Sequence, residues 1–93
     1  MINRVIIAKD ARKALKKLPF YVVKKLNLWT QSVAQNGLEE VRKLPGYHDE
    51  PLKGQRKGQR SIRLSKAYRA IYVVKIDNSI EFVSVEEVNK HDY

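Results

Sequence analysis

Tyr68-Arg69-Ala70-Ile71-Tyr72-Val73-Val74-Lys75-Ile76, Asp77-Asn78-Ser79, then Ile80-Glu81-Phe82-Val83-Ser84-Val85-Glu86-Glu87-Val88 decide the fold. The flanking runs are rich in β-branched and aromatic residues, and the Asp-Asn-Ser between them is a tight-turn sequence, so the stretch reads as two antiparallel strands. Side chains alternate along a strand. Tyr68, Ala70, Tyr72, Val74 and Ile76 therefore share one face, and Arg69, Ile71, Val73 and Lys75 share the other.

Working back from this hairpin, Arg60 to Leu64 adds a strand after a turn near Ser65-Lys66-Ala67, giving a three-stranded meander. From Tyr47 to Gln59 no period is visible, and prolines, glycines and charges mark a long loop, a feature that in a small domain points to function. Leu38, Val41 and Leu44 fit a short helical turn before Pro45-Gly46. Ahead of it, Phe20, Val23, Leu26, Trp29 or Thr30, and Val33 fall at helical spacing and stop at Asn36-Gly37. Trp29 lies within that stripe and reads as core. Pro19 separates this helix from an earlier one with Ala11, Ala14, Leu15 and Leu18 on one stripe, for which Asp10 is the expected cap. Ile2 to Ile7 reads as a first strand. The expected fold is α+β in the order β-α-α-β-β-β, with a helical hairpin packed on a mainly antiparallel four-stranded sheet.

The 93 residues fit a single domain, 1–93, with a small core. Cysteine is absent, which removes disulfides, thiolate metal sites and thiol nucleophiles. Ile2 to Ile7 is too short for a signal peptide, and no apolar run approaches the roughly 20 residues that span a bilayer. The expected location is cytoplasmic, with no membrane partner.

Nineteen lysines and arginines against ten acidic residues give a net charge of +9, a field that attracts phosphates and acidic proteins. The basic residues cluster. Lys9 to Lys25 holds seven against Asp10, and Arg42 to Arg69 holds nine against Asp49 and Glu50, whereas Asp77 to Tyr93 is acidic. The first cluster fits a solvated helical face; the second lies on turn-rich sequence, where binding residues concentrate.

Phosphate-loop, dinucleotide-binding and zinc-protease motifs are absent, and His48 and His91 are the only histidines, so neither a metal nor a cofactor is expected. Asp49 and Glu50 are adjacent and point opposite ways in an extended segment. A reaction that needs no metal is transesterification of RNA by its own 2′-hydroxyl, which requires a base, cations for the charge developing at phosphorus, and an acid for the leaving oxygen. Glu50 is the candidate base. Lys53, Arg63 and Arg69 are the candidate cations, and His91 or Tyr93 the acid. Gly54 to Arg60, with Arg56, Lys57 and Arg60, is expected to steer and hold the RNA backbone.

The motif Glu50-Pro51-Leu52-Lys53-Gly54, followed by Gly58-Gln59, Ser61-Ile62-Arg63, Tyr68-Arg69 and Lys90-His91-Asp92-Tyr93, resembles the RelE/ParE superfamily of toxins from type II toxin-antitoxin modules, nearest to its HigB-like and YoeB-like mRNA interferases. The resemblance spans the whole chain. It implies a RelE-like microbial RNase fold, cleavage of mRNA in the ribosomal A site, and neutralisation by a cognate antitoxin, for HigB-like modules a HigA-like helix-turn-helix protein. By this resemblance Glu50 takes the place of the general base and Arg69 that of the arginine holding the scissile phosphate, with Arg63 a secondary match. The C-terminal His91-Asp92-Tyr93 differs from the family's usual endings, and both His91 and Tyr93 stay candidates for the acid. His48 reads as loop surface. Two other readings compete: a ParE-like toxin that inhibits DNA gyrase without nuclease activity, and a non-catalytic RNA-binding module.

Overall fold

Asn78 and Ser79 have φ of 50° and 67°, the paired positive values of the hairpin turn whose twist matches its strands. They join β4 (Tyr68–Asp77) to β5 (Ile80–Lys90), the two longest strands. The computed structural model describes residues 1–90. Before the hairpin come β1 (Val5–Ile7), α1 (Lys9–Leu15), α2 (Phe20–Asn36), α3 (Leu38–Arg42), a 3₁₀ turn at Pro45–Tyr47, β2 (Glu50–Pro51), a second 3₁₀ turn at Gly54–Arg56, and β3 (Arg60–Arg63). The strands form one sheet in the order β1-β5-β4-β3-β2, with only β1 and β5 parallel.

The α+β class and the mainly antiparallel sheet match the sequence reading, but the sheet has five strands, not four. The additional strand is β2, which pairs Glu50 with Ser61 and Pro51 with Arg60 at the sheet edge. Two residues are too few to show a period, and an edge is where a proline without an N–H is tolerated.

One face of the sheet carries the core. Ile62, Leu64, Ala70, Tyr72, Val83, Val85 and Val88 pack there with Ala11, Val22, Leu26, Trp29, Val33, Leu38 and Val41. Trp29 is fully buried, with its ring 5.3 Å from that of Tyr72. In α2 the buried stripe is Val22, Leu26, Trp29 and Val33, so Phe20, at the helix start, is displaced from the expected stripe and stands 78% exposed. Asp10 is not the cap of α1: Ala8 occupies that position, and Asp10 lies in the first turn, where its charge faces the positive helix end. Gly37 ends α2 with φ of 84°, and its N–H donates to the Val33 carbonyl; its positive φ suits a residue without Cβ.

Val83, Val85 and Val88 cannot all face the core in a regular strand, because Val88 is out of phase with the other two. A bulge resolves this: Ile71 pairs with Glu87 and Tyr72 with Val85, leaving Glu86 as the extra residue. Glu87 and Asn89 are thereby turned to the face away from the helices. No helix among the described residues is long and apolar enough to cross a membrane.

Candidate active site on the far face of the sheet

The alternation of Arg60-Ser61-Ile62-Arg63 divides β3 into two chemistries. Ile62 is in the core, so Arg60 shares the helix side while Ser61 and Arg63 share the far side. The same division applies at Asp49 and Glu50.

On the helix side the charges are mutually satisfied. The Asp49 side chain is fully buried, its Oδ1 accepts from Arg60 Nε at 2.6 Å, and its Oδ2 accepts from the Tyr72 hydroxyl. Arg42 Nε donates to the Tyr72 oxygen at 3.2 Å. Burial and the hydrogen bond to Asp49 push the Tyr72 hydroxyl up to about 12. Burial disfavours the Arg60 cation, but the hydrogen bond and charge of Asp49 outweigh this and raise its pKa. This network ties β2, β3, β4 and α3 together, and it fixes the backbone on which Glu50 stands.

On the far side two rows of side chains run across the strands. Glu50, Ser61, Ile71 and Glu87 form one, and Arg63, Arg69 and Asn89 the next. The Leu64 N–H donates to the Tyr68 carbonyl, which puts Arg63 and Arg69 in the alternate type of pair, where cross-strand side chains come closest. Two like charges directly opposite each other are unfavourable. Neither arginine forms an ion pair among the described residues, and Arg69 Nε is buried with no hydrogen-bond partner among them. A buried donor without an acceptor costs free energy. An anion placed between the two guanidinium groups relieves the like-charge penalty.

These arginines line a cleft together with Glu50, His48, Tyr68 and Lys66, and Ser61 and Ser65 border it as well. Glu50, Arg63 and Arg69, which the sequence assigns to base and phosphate contacts, thus converge. The other expected contacts lie elsewhere. Lys53 and Lys57 are exposed on the loop between β2 and β3. Arg60 is held by Asp49 on the opposite side of the sheet. Arg56 reaches over the far face to Glu87, with bonds of 2.8 and 3.2 Å, and also donates to Gln59. Arg56, with help from Asn89, lowers the Glu87 pKa, and Arg69 adds to the effect. The Arg56 guanidinium is raised in return, first by its hydrogen bond to Glu87. His91 and Tyr93 lie outside the described residues. The last described pair beside the arginines is Tyr68 with Lys90, so β5 runs alongside the cleft.

Ser61, Lys66, Tyr68 and His48 join the site only in the structure. Ser61 was accessible from the alternation that places it beside Arg63; His48, Lys66 and Tyr68 become neighbours only through strand pairing. Among the described residues no three His, Asp or Glu side chains are grouped as metal ligands.

No family model matches the sequence, and no curated relative matches it. Solved structures do match by fold. A YoeB/ParE toxin from Agrobacterium tumefaciens is 18% identical with a TM-score of 0.68, covering 96% of this chain and 99% of that one. The YoeB-YefM complex from Staphylococcus aureus matches at 21% identity and a TM-score of 0.66, with 99% of both chains covered. The DinJ-YafQ toxin-antitoxin complex of E. coli matches at 23% identity and a TM-score of 0.66, covering 97% of this chain and 94% of that one. The chain has the fold of the RelE/ParE toxins.

Proposed function

We propose that this protein is the toxin of a type II toxin-antitoxin pair and acts as an endoribonuclease on mRNA bound in the ribosomal A site. The observation that carries the reading is the Arg63–Arg69 pair, facing each other across two strands without a carboxylate partner among the described residues and sharing one cleft with Glu50. Such a site suits a phosphodiester. The two guanidinium groups hold its non-bridging oxygens, Arg69 from its half-buried position and Arg63 from the rim. Planar guanidinium forks match such oxygens and stabilise the charge that develops on them. Glu50 takes the proton of the adjacent 2′-hydroxyl, whose oxygen attacks phosphorus. The 5′-oxygen leaves, and the products are a 2′,3′-cyclic phosphate and a 5′-hydroxyl. Lys53 and Lys57 on the exposed loop attract the RNA backbone from a distance.

The fold supports a cognate antitoxin as partner, since YefM and DinJ are bound to similar toxins. An acidic antitoxin segment laid over the cleft neutralises the two arginines and excludes RNA at once. A HigA-like helix-turn-helix protein is the form of antitoxin expected from the HigB-like sequence motifs.

The test is cleavage of mRNA on programmed ribosomes by the purified protein, mapped by primer extension, with Glu50→Ala and Arg69→Ala alongside. Site-specific cleavage ending in a cyclic phosphate, reduced about 100-fold or more in each variant, is the expected result. Equal cleavage by all three proteins rejects this site. Inhibition of gyrase supercoiling with no RNA cleavage replaces the nuclease by the gyrase reading.

A further inference from the structure

His48 is the side chain on this cleft whose presence the fold does not explain. Its φ of 46° and ψ of 48° are left-handed, a conformation that costs a residue with a Cβ about 1–2 kcal/mol and that glycine or asparagine adopts more readily. Its backbone is held on both sides: its N–H donates to the Pro45 carbonyl at 3.2 Å, and the next residue is the buried Asp49. The imidazole itself is on an exposed residue and takes part in no hydrogen bond to a described residue. The imidazole therefore takes no part in the core, and among the described residues it makes no hydrogen bond within the turn. It lines the cleft that holds Glu50, Arg63 and Arg69.

We propose that His48 is a further catalytic residue, the general acid that protonates the leaving 5′-oxygen; this rests on the endoribonuclease reading above. The atoms balance as follows. The 2′-hydroxyl gives its proton to the Glu50 carboxylate while its oxygen bonds to phosphorus. The bond from phosphorus to the 5′-oxygen breaks, and that oxygen takes the proton of the His48 imidazolium. The products carry a 2′,3′-cyclic phosphate and a 5′-hydroxyl, with Glu50 protonated and His48 neutral, and proton exchange with water resets both. Lys66 and Tyr68 line the same cleft, but imidazole is the side chain type that gains and loses a proton near neutral pH. Glu50 and His48 leave the chain on either side of the anchored Asp49, so the network beneath sets the spacing between base and acid.

The experiment uses the full chain, programmed ribosomes, and two mRNAs with the same A-site codon. One has a normal linkage at the cleaved position; the other has sulfur in place of the bridging 5′-oxygen, a leaving group that needs no proton. His48→Asn keeps the left-handed backbone, and its binding to an mRNA with a 2′-deoxy nucleotide at the cleaved position is measured alongside. His48→Asn is expected to cut the normal linkage about 100-fold or more slowly, to cut the sulfur linkage at close to the wild-type rate, and to bind the deoxy mRNA unchanged. Glu50→Ala and Arg69→Ala are expected to stay slow on both. Wild-type rates for His48→Asn on the normal linkage overturn the assignment, as does a loss that the sulfur linkage does not restore. Absence of cleavage by the wild-type protein instead overturns the nuclease reading, and the assignment with it.

Discussion

Asp49 and Glu50 are neighbours in the chain and opposites in their surroundings. Asp49 is buried against Arg60 and Tyr72, with every charge answered. Glu50, the next residue, is exposed and faces the other side of the sheet, beside two arginines that lack a carboxylate partner among the described residues. The same side chain types build a structural anchor on one side and an unsatisfied site on the other. What differs is burial and pairing, so charge alone says nothing about role until the strand face is known. A completed ion pair holds the fold, whereas an incomplete one is available to a ligand.

This contrast is broken most severely at the anchor. Asp49→Ala leaves Arg60 largely buried without its carboxylate and removes the acceptor of the Tyr72 hydroxyl. The expected loss is about 3 kcal/mol, read as a lower urea midpoint, and activity falls because Glu50 loses its support. Arg69→Ala acts in the opposite sense. Cleavage is expected to drop by about 100- to 1,000-fold, equivalent to about 2.7–4 kcal/mol of transition-state stabilisation. Its urea midpoint should hold or rise, because the repulsion across the strands from Arg63 is relieved. A large stability loss in Arg69→Ala would make it a structural residue and erase the contrast.

Next in size is the alkaline limit. Tyr72 keeps its proton in the folded state up to about 12, while the same group in the unfolded chain ionises near 10.0. Between those values the unfolded state holds fewer protons, so stability falls as pH rises. The contribution is fully present below pH 10 and is lost as the folded value is approached, on the order of 2–3 kcal/mol at about 1.4 kcal/mol per pH unit. Tyr72→Phe should flatten the urea midpoint between pH 10 and 12. Tyr47, also raised by burial, is present in both proteins and cancels in the comparison.

How far the sequence discloses this arrangement depends on the range of each signal. The hairpin is legible because its alternation runs over many residues, and even its bulge leaves a trace in the phase slip between Val85 and Val88. Chemistry and motif order single out Glu50, Arg63 and Arg69, and strand pairing brings them into one cleft. A count of charges groups Arg60 with Arg63, because it ignores the period of two that puts them on opposite faces. The partners of Asp49 lie at Arg60 and Tyr72, and Arg42 joins through Tyr72. Only the folded sheet brings those four together. A count of charges likewise assigns Arg56 to RNA, because nothing local announces Glu87, thirty-one positions away.

That Arg56–Glu87 pair sharpens the comparison by lying between its extremes. It is bidentate like an anchor, but both side chains are more than a third exposed. Water and salt therefore screen it, and its effect on stability should be the smallest of the four. Arg56 holds the Glu87 pKa below its ordinary 4.5. The unfolded state then binds more protons as pH falls past that value, so the contribution is present above about pH 4.5 and is lost as pH falls through the lower folded value. Glu87→Gln should show a shallower fall of the urea midpoint below pH 4.5 than wild type, and 0.5 M salt should bring the two curves together. A difference that persists in high salt would class the pair with Asp49–Arg60 and make the loop over the far face a fixed part of the fold. A difference that vanishes leaves Arg56 exchangeable between Glu87 and an incoming phosphate, the behaviour expected of a cation on the site's side of the sheet.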